Sequence, residues 1–79
     1  MKISVYGTGC KTCKLLHQRV LLVVKENNLN AEVFYETDVM NIAKRGILQT
    51  PALEVNNKIV HTGKVPKIKD LYNLIINNL

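Results

Sequence analysis

The sequence predicts an α/β fold of seven elements in the order β-α-β-α-β-β-α. Three observations support this prediction. A short apolar segment at the amino end runs into a glycine-containing turn and then into a long helical stripe. Two strand-like segments flank a pair of asparagines, and a second helical stripe occupies the carboxyl end.

The first strand and the first helix are separated by a turn. Ile3, Val5 and Tyr6 form the strand, which stops at Gly7-Thr8-Gly9. A helix is expected from Lys11 to the stop signal Asn27-Asn28. Its apolar residues recur at the spacing of one helix face: Leu16, Val20, Val23 and Val24.

The next two elements are a strand and a short helix. Glu32–Glu36, with Val33, Phe34 and Tyr35 at its centre, is expected to be the second strand. Thr37-Asp38 is suited to cap the helix that follows, and Gly46 is suited to end it. The apolar residues of this helix are Val39, Ile42 and Ala43.

The last three elements are a hairpin and a helix. Ala52–Val55 and Lys58–His61 are the hairpin strands, since Asn56-Asn57 tolerates the positive φ of a two-residue turn. Pro66 suits the first position of the final helix. The apolar face of that helix is expected to contain Ile68, Leu71, Tyr72, Ile75 and Leu79.

Length and composition restrict the class of protein. The chain has 79 residues, 47% of them apolar and 22% charged, which predicts one small globular domain over residues 1–79. The net charge is +5, but the basic residues are dispersed, so no nucleic-acid partner is expected. The longest apolar run, Val20–Val24, is far shorter than the roughly 20 residues of a membrane-spanning helix. No secretory signal precedes Gly7, so a cytoplasmic location without membrane association is expected.

Cys10 and Cys13 are the only cysteines, and they lie three residues apart at the start of the first helix. Residues at that spacing lie on one face of a helix, one turn apart, which brings the two side chains close enough for a disulfide. Such a small loop constrains the unfolded chain weakly, so a purely structural disulfide explains the pair poorly. A helix amino terminus favours a thiolate, and Lys11 and Lys14 add positive charge. We therefore expect a lowered pKa and nucleophilic character for Cys10.

The surroundings of the two thiols are expected to differ. Gly7 and Gly9 leave the approach to Cys10 free of bulky side chains. Cys13 lies one turn further into the helix and is better sheltered. It is placed to attack a mixed disulfide formed on Cys10 and to release the substrate.

Two stretches carry a resemblance to a known family. Gly7-Thr8-Gly9-Cys10-Lys11-Thr12-Cys13 and Gln49-Thr50-Pro51-Ala52-Leu53 resemble the small thioredoxin-like redox-active disulfide proteins. The resemblance covers nearly the whole chain and implies a four-stranded mixed sheet in the order 2-1-3-4 with helices on both faces. It also implies that Pro51 is cis and faces the dithiol, and that Thr50 offers backbone groups to an extended substrate segment. Gly63 matches a family glycine near this surface, where a side chain would crowd the partner.

The resemblance further implies a thiol-disulfide oxidoreductase in which Cys10 attacks and Cys13 resolves. The expected partners are a protein disulfide substrate and an upstream thiol reductase. No cofactor is expected beyond the redox-active disulfide itself, and a monomer is expected.

Two other classes of function use the same cysteines. Soft thiolates at this spacing also hold copper(I) or zinc, as in a metal delivery module. His17, one turn after Cys13, is placed to tune the dithiol or to complete such a site, whereas His61 is expected to be an ordinary strand-end residue. The third class is a thioredoxin-fold interaction domain whose dithiol senses redox state.

Two further features of the sequence bear on the site. Tyr6 is expected mainly to pack, with a place at the active-site entrance as the alternative. Lys11, Lys14 and Lys64 either form a basic rim that favours an acidic partner or serve only to keep a small domain soluble.

Overall fold

All seven predicted elements are present, in the predicted order, in the computed structural model, which describes residues 1–79. Their bounds are β1 Lys2–Tyr6, α1 Lys11–Glu26, β2 Glu32–Glu36, α2 Val39–Lys44, β3 Ala52–Val55, β4 Lys58–Thr62 and α3 Ile68–Ile76. None of the three helices combines the length and the hydropathy of a membrane-spanning segment.

The four strands form one mixed sheet in the order β2-β1-β3-β4, as the family resemblance implies. β1 runs parallel to β2 and antiparallel to β3, and Tyr6 lies opposite both Glu36 and Ala52. β4 is antiparallel to β3, with an irregularity in register between Leu53 and Glu54. The carboxyl ends of β1, β2 and β4 therefore share one edge of the sheet with the amino end of β3.

One face of the sheet carries the main hydrophobic core. Successive strand residues point to opposite faces, so Ile3 and Val5 of β1 lie on the same side as Leu53 and Val55 of β3. They pack against apolar residues of α1 and α3 in a cluster of nine buried side chains. The helical members are Leu16, Val20, Val23, Leu71 and Ile75. These are core positions of the two predicted helical stripes.

The other face is covered by α2 and has a smaller core. Ile42 of α2 packs with Ile47 and Ala52, and Tyr6 and Ile59 lie against this group. Asp38 caps α2 by accepting a hydrogen bond from the backbone N–H of Met40 at 2.8 Å. The helices therefore lie on both faces of the sheet.

Two expectations about the final helix were wrong. Pro66 lies before α3, because Lys67 is the N-cap and has an extended backbone at φ −64° and ψ 158°. The carbonyl of Pro66 instead accepts a hydrogen bond from Arg19 Nη1 at 2.8 Å, which ties this segment to α1. Leu79 lies beyond α3 and is exposed, since the helix ends at Ile76. Periodicity alone did not show where the helix stops.

Candidate active site

The two cysteines form a disulfide at the amino end of α1, with their Cα atoms 5.0 Å apart. Cys10 is the N-cap of the helix, with an extended backbone at φ −67° and ψ 166°. Its Sγ accepts a hydrogen bond from the backbone N–H of Cys13 at 3.2 Å and lies 3.3 Å from Oγ1 of Thr12. The side chain that closes the helix end is therefore also one of the reactive sulfurs.

The two sulfurs have different surroundings. Cys10 is exposed, whereas Cys13 is completely buried, with an exposed fraction of 0%. Cys13 continues the buried stripe of α1 that contains Leu16 and Val20. Of the two cysteines, only Cys10 is therefore accessible to a large partner.

Gly7 is packed against Cys13 and does not serve the approach to Cys10. A Cβ atom on Gly7 would lie 2.5 Å from Cys13 Cβ and 2.6 Å from Cys13 Sγ, closer than atoms can approach. The predicted role of Gly7 was therefore wrong, because the β1–α1 turn presses its backbone onto the buried sulfur. A Cβ atom on Gly9 would meet nothing within 4 Å, and its predicted role in the approach to Cys10 stays a prediction. Its φ of +90° is one that glycine adopts readily.

Thr50 and Pro51 lie at the same edge of the sheet as the disulfide. The Thr50–Pro51 peptide bond is cis, as the family resemblance implies. Because Tyr6 pairs with Ala52, Pro51 lies beside the turn that begins at Gly7. The backbone N–H and C=O of Thr50 make no hydrogen bond within the chain. Whether they bind an extended substrate segment, as the family resemblance implies, stays a prediction.

Gly63 adjoins Pro51 across the hairpin. Its backbone N–H donates to the carbonyl of Pro51 at 2.8 Å, and its φ is +90°. A Cβ atom there would lie 3.0 Å from Nε2 of Gln49. The positive φ of Gly63 itself favours glycine, whereas the Gln49 amide is the end of a flexible side chain that can move aside. Crowding of a partner by a side chain at this position stays a prediction.

The histidines have partners outside the dithiol. The ring of His17 lies against the ring of Tyr35 in β2, with centroids 4.4 Å apart and planes inclined by 34°. A ring nitrogen of His61 pairs with the carbonyl of Lys64. No group of three or more His, Cys, Asp or Glu side chains is arranged to hold a metal ion.

An ion pair between the exposed Arg45 and the buried Glu54 lies on the α2 face, and the sequence did not predict it. Glu54 is only 4% exposed and accepts hydrogen bonds from Arg45 Nε at 2.6 Å and from the Tyr6 hydroxyl at 3.1 Å. Arg45 also donates to the carbonyl of Asn57 at 2.9 Å. Burial, followed by the hydrogen bond to Glu54, raises the pKa of Tyr6. The only signal in the sequence is one charged residue inside the apolar strand Ala52–Val55.

Three comparisons with known proteins agree with this geometry. A family model described as a thioredoxin domain matches residues 1–76. The chain is 33% identical over 69 residues to a thioredoxin of Methanocaldococcus jannaschii, covering 87% of this chain and 79% of that protein. It is 29% identical over 75 residues to a thioredoxin of Methanothermobacter thermautotrophicus, covering 95% of this chain and 97% of that protein.

The fold also has a solved counterpart. Thioredoxin 1 from the thermophilic eubacterium Thermosipho africanus TCF52B superimposes with a TM-score of 0.64, covering 98% of this chain and 92% of that one. The two are 17% identical in sequence, so this likeness concerns the fold alone.

Proposed function

The chain belongs to the thioredoxin domain family and is a thiol-disulfide oxidoreductase, and we propose that Cys10 is its attacking thiol and Cys13 its resolving thiol. The observation that supports this assignment is the difference in exposure between the two sulfurs. Cys10 is open to solvent at the helix end, while Cys13 is completely buried one turn further along. A substrate disulfide can reach the first sulfur and not the second.

The reaction proceeds in two exchanges of sulfur bonds. In the reduced protein, the Cys10 thiolate attacks one sulfur of the substrate disulfide, and the other substrate sulfur leaves as a thiolate that takes a proton from solvent. Cys13 then loses its proton and attacks Cys10 Sγ, which breaks the mixed disulfide and releases the second substrate thiol. Two electrons pass from the dithiol to the substrate, and the Cys10–Cys13 disulfide is the oxidised product.

Cys10 is placed for activation as a thiolate. Its Sγ already accepts a hydrogen bond from the Cys13 N–H, and the unpaired N–H groups of the first turn of α1 favour negative charge there. The first turn holds no acidic residue. Lys11 and Lys14 are exposed in the same turn, and we propose that their charges add to this stabilisation.

The substrate segment is proposed to lie across Thr50, Pro51 and Gly63. The free backbone groups of Thr50 support this placement, because an extended peptide pairs with such groups. Gly63 is held against Pro51 by its hydrogen bond and carries no side chain that would cover the surface. These three residues therefore orient the substrate disulfide toward Cys10.

The setting of the reaction is part of the same proposal. The dithiol itself holds the two electrons, so the reaction needs no further cofactor. Protein disulfides are the substrates, and an upstream thiol reductase returns the disulfide to the dithiol. The edge that contains Cys10 is formed within one chain, which is consistent with a monomer. We place the protein in the cytoplasm, where thiol systems keep dithiols reduced.

Single-thiol variants test the assignment. Reduced Cys13→Ser, incubated with a protein disulfide, is expected to accumulate a mixed disulfide through Cys10, detectable by mass spectrometry. Cys10→Ser is the matched control and is expected to form none, and both variants lose turnover. Turnover by Cys10→Ser, or trapping through Cys13 in place of Cys10, would contradict the proposed roles.

A further inference from the structure

The chain segments that meet at the dithiol on the side of Pro51 contain charges of only one sign. Three segments meet there: residues 7–14 after β1, residues 46–52 before and into β3, and residues 61–66 at the end of β4. We call them together the dithiol edge. They contain three lysines, Lys11, Lys14 and Lys64, and no aspartate or glutamate, although the chain has six acidic residues.

The three lysines have no internal partner. Each is exposed, and none makes a salt bridge or a side-chain hydrogen bond within the chain. The one ion pair of the molecule, Arg45 with Glu54, lies on the α2 face. The positive charge of the lysines is therefore directed to solvent or to a bound partner.

The nearest acidic residues along the same sheet edge are Glu36, the last residue of β2, and Asp38, two residues later. β1 separates β2 from β3, so these residues lie on the far side of the dithiol from Pro51. Glu36 accepts hydrogen bonds from the Asp38 N–H and from Asn41 Nδ2, each at 3.1 Å. Asp38 caps α2. Both carboxylates keep their charge, because their hydrogen-bond donors are neutral amides. They lower the positive potential on the β2 side of the dithiol, whereas the Pro51 side carries lysines and no acidic residue.

Lys64 is the lysine best placed to contact a substrate. It follows Gly63, whose N–H donates to the Pro51 carbonyl at 2.8 Å. Its own backbone is fixed by the pairing of its carbonyl with His61. A peptide lying along Thr50 would pass this side chain on the β4 side, with Lys11 on the side of the helix.

We infer that the substrates of this dithiol are protein segments that carry acidic residues beside the reacting cysteine. The inference rests on the proposed function and names its substrate class. On the Pro51 side of the dithiol, a carboxylate next to the substrate disulfide meets lysines and no acidic residue of this chain, whereas a lysine there is repelled. Charge complementarity of this kind acts mainly on encounter and selectivity.

The test uses three peptide disulfides that differ only in the residues flanking the cysteine. These residues are Glu in the first peptide, Gln in the second and Lys in the third. With wild-type protein, kcat/KM is expected to fall from Glu to Gln to Lys, by about two- to fivefold for each step, as for exposed charge pairs. The differences in kcat/KM among the three peptides are expected to shrink at about 0.5 M salt, because the Debye length there is only a few ångströms.

Lys64→Gln is expected to raise KM for the Glu peptide about two- to fivefold and to leave kcat unchanged. Lys58→Gln is the matched control: it removes the same charge from the other end of β4 and is expected to change neither constant. Equal kcat/KM for the Glu and Lys peptides, or equal effects of the two substitutions, would overturn the inference. Failure of wild-type protein to turn over even the Gln peptide would overturn the proposed function instead.

Discussion

The two edges of the sheet, where the strands begin and end, differ in how their polar groups are used. The opposite edge, formed by residues 1–2, 27–32 and 55–58, is closed by internal hydrogen bonds. Lys2 and Asn56 form two hydrogen bonds. The Lys2 N–H donates to Asn56 Oδ1 at 2.9 Å, and the Asn56 N–H donates to the Lys2 carbonyl at 2.8 Å. At the dithiol edge, Thr50 leaves its backbone groups free and Cys10 is exposed. Internal hydrogen bonds therefore hold the opposite edge together at a position where the dithiol edge leaves the Thr50 backbone groups without an internal partner.

The largest effect is expected from Gly7→Ala at the dithiol edge. The new Cβ would lie 2.5 Å from Cys13 Cβ, so the turn or the helix start must move. Overpacking of this kind costs about 1–3 kcal/mol. Urea unfolding of the oxidised protein should show the loss, and disulfide turnover should fall because Cys13 is displaced. A variant within about 0.5 kcal/mol of wild type and equally active would contradict the packing of Gly7 against Cys13.

An intermediate effect is expected from Asn56→Ala at the opposite edge. Alanine has no side-chain oxygen to accept the hydrogen bond from the Lys2 N–H, and it must adopt a φ of +48°. Together these cost about 2 kcal/mol, whereas Asn56→Gly keeps the φ and loses only the bond, at about 1 kcal/mol. Urea unfolding measures both, and turnover is expected to match wild type in each. Reduced turnover at equal folded fraction would contradict the separation between the two edges.

The smallest effect is expected from Tyr6→Phe, and it depends on pH. The pKa of Tyr6 is raised above its usual 10.0 by burial and then by Glu54, so the folded state favours the protonated phenol. The stability from this hydroxyl, about 1 kcal/mol, is therefore complete below pH 10 and lost as pH rises through the raised folded pKa. Unfolding free energies of wild type and variant should converge above pH 10. A difference in unfolding free energy between wild type and Tyr6→Phe that stays constant with pH would contradict the raised pKa of Tyr6.

The sequence was sufficient where the signal is local. The helical stripe of α1, the Asn56-Asn57 turn and the position of Cys10 at a helix start depend on near neighbours, and the structure agrees with each. The positive φ values of Asn56 and Asn57 are those that a two-residue hairpin turn requires. The fold followed from these elements together with the family resemblance.

The sequence was insufficient where the contact joins distant parts of the chain. Glu54 lies 48 residues from Tyr6, so nothing in the local pattern reveals that a buried carboxylate bonds its hydroxyl. Arg19 lies 47 residues from Pro66, and their hydrogen bond accompanies a helix start later than the proline predicts. Gly7 was misread for a similar reason, because its closest contact is a side chain that the turn brings back onto it.

The dithiol edge presents one accessible sulfur, that of Cys10, and one buried sulfur, that of Cys13. Reduced wild-type protein should be treated with limiting iodoacetamide, and each cysteine followed over time by peptide mapping. We expect alkylation of Cys10 to precede that of Cys13, because Cys13 is fully buried against Gly7. In guanidinium chloride the difference should largely disappear. Alkylation of Cys13 in the folded protein as fast as that of Cys10 would contradict the account.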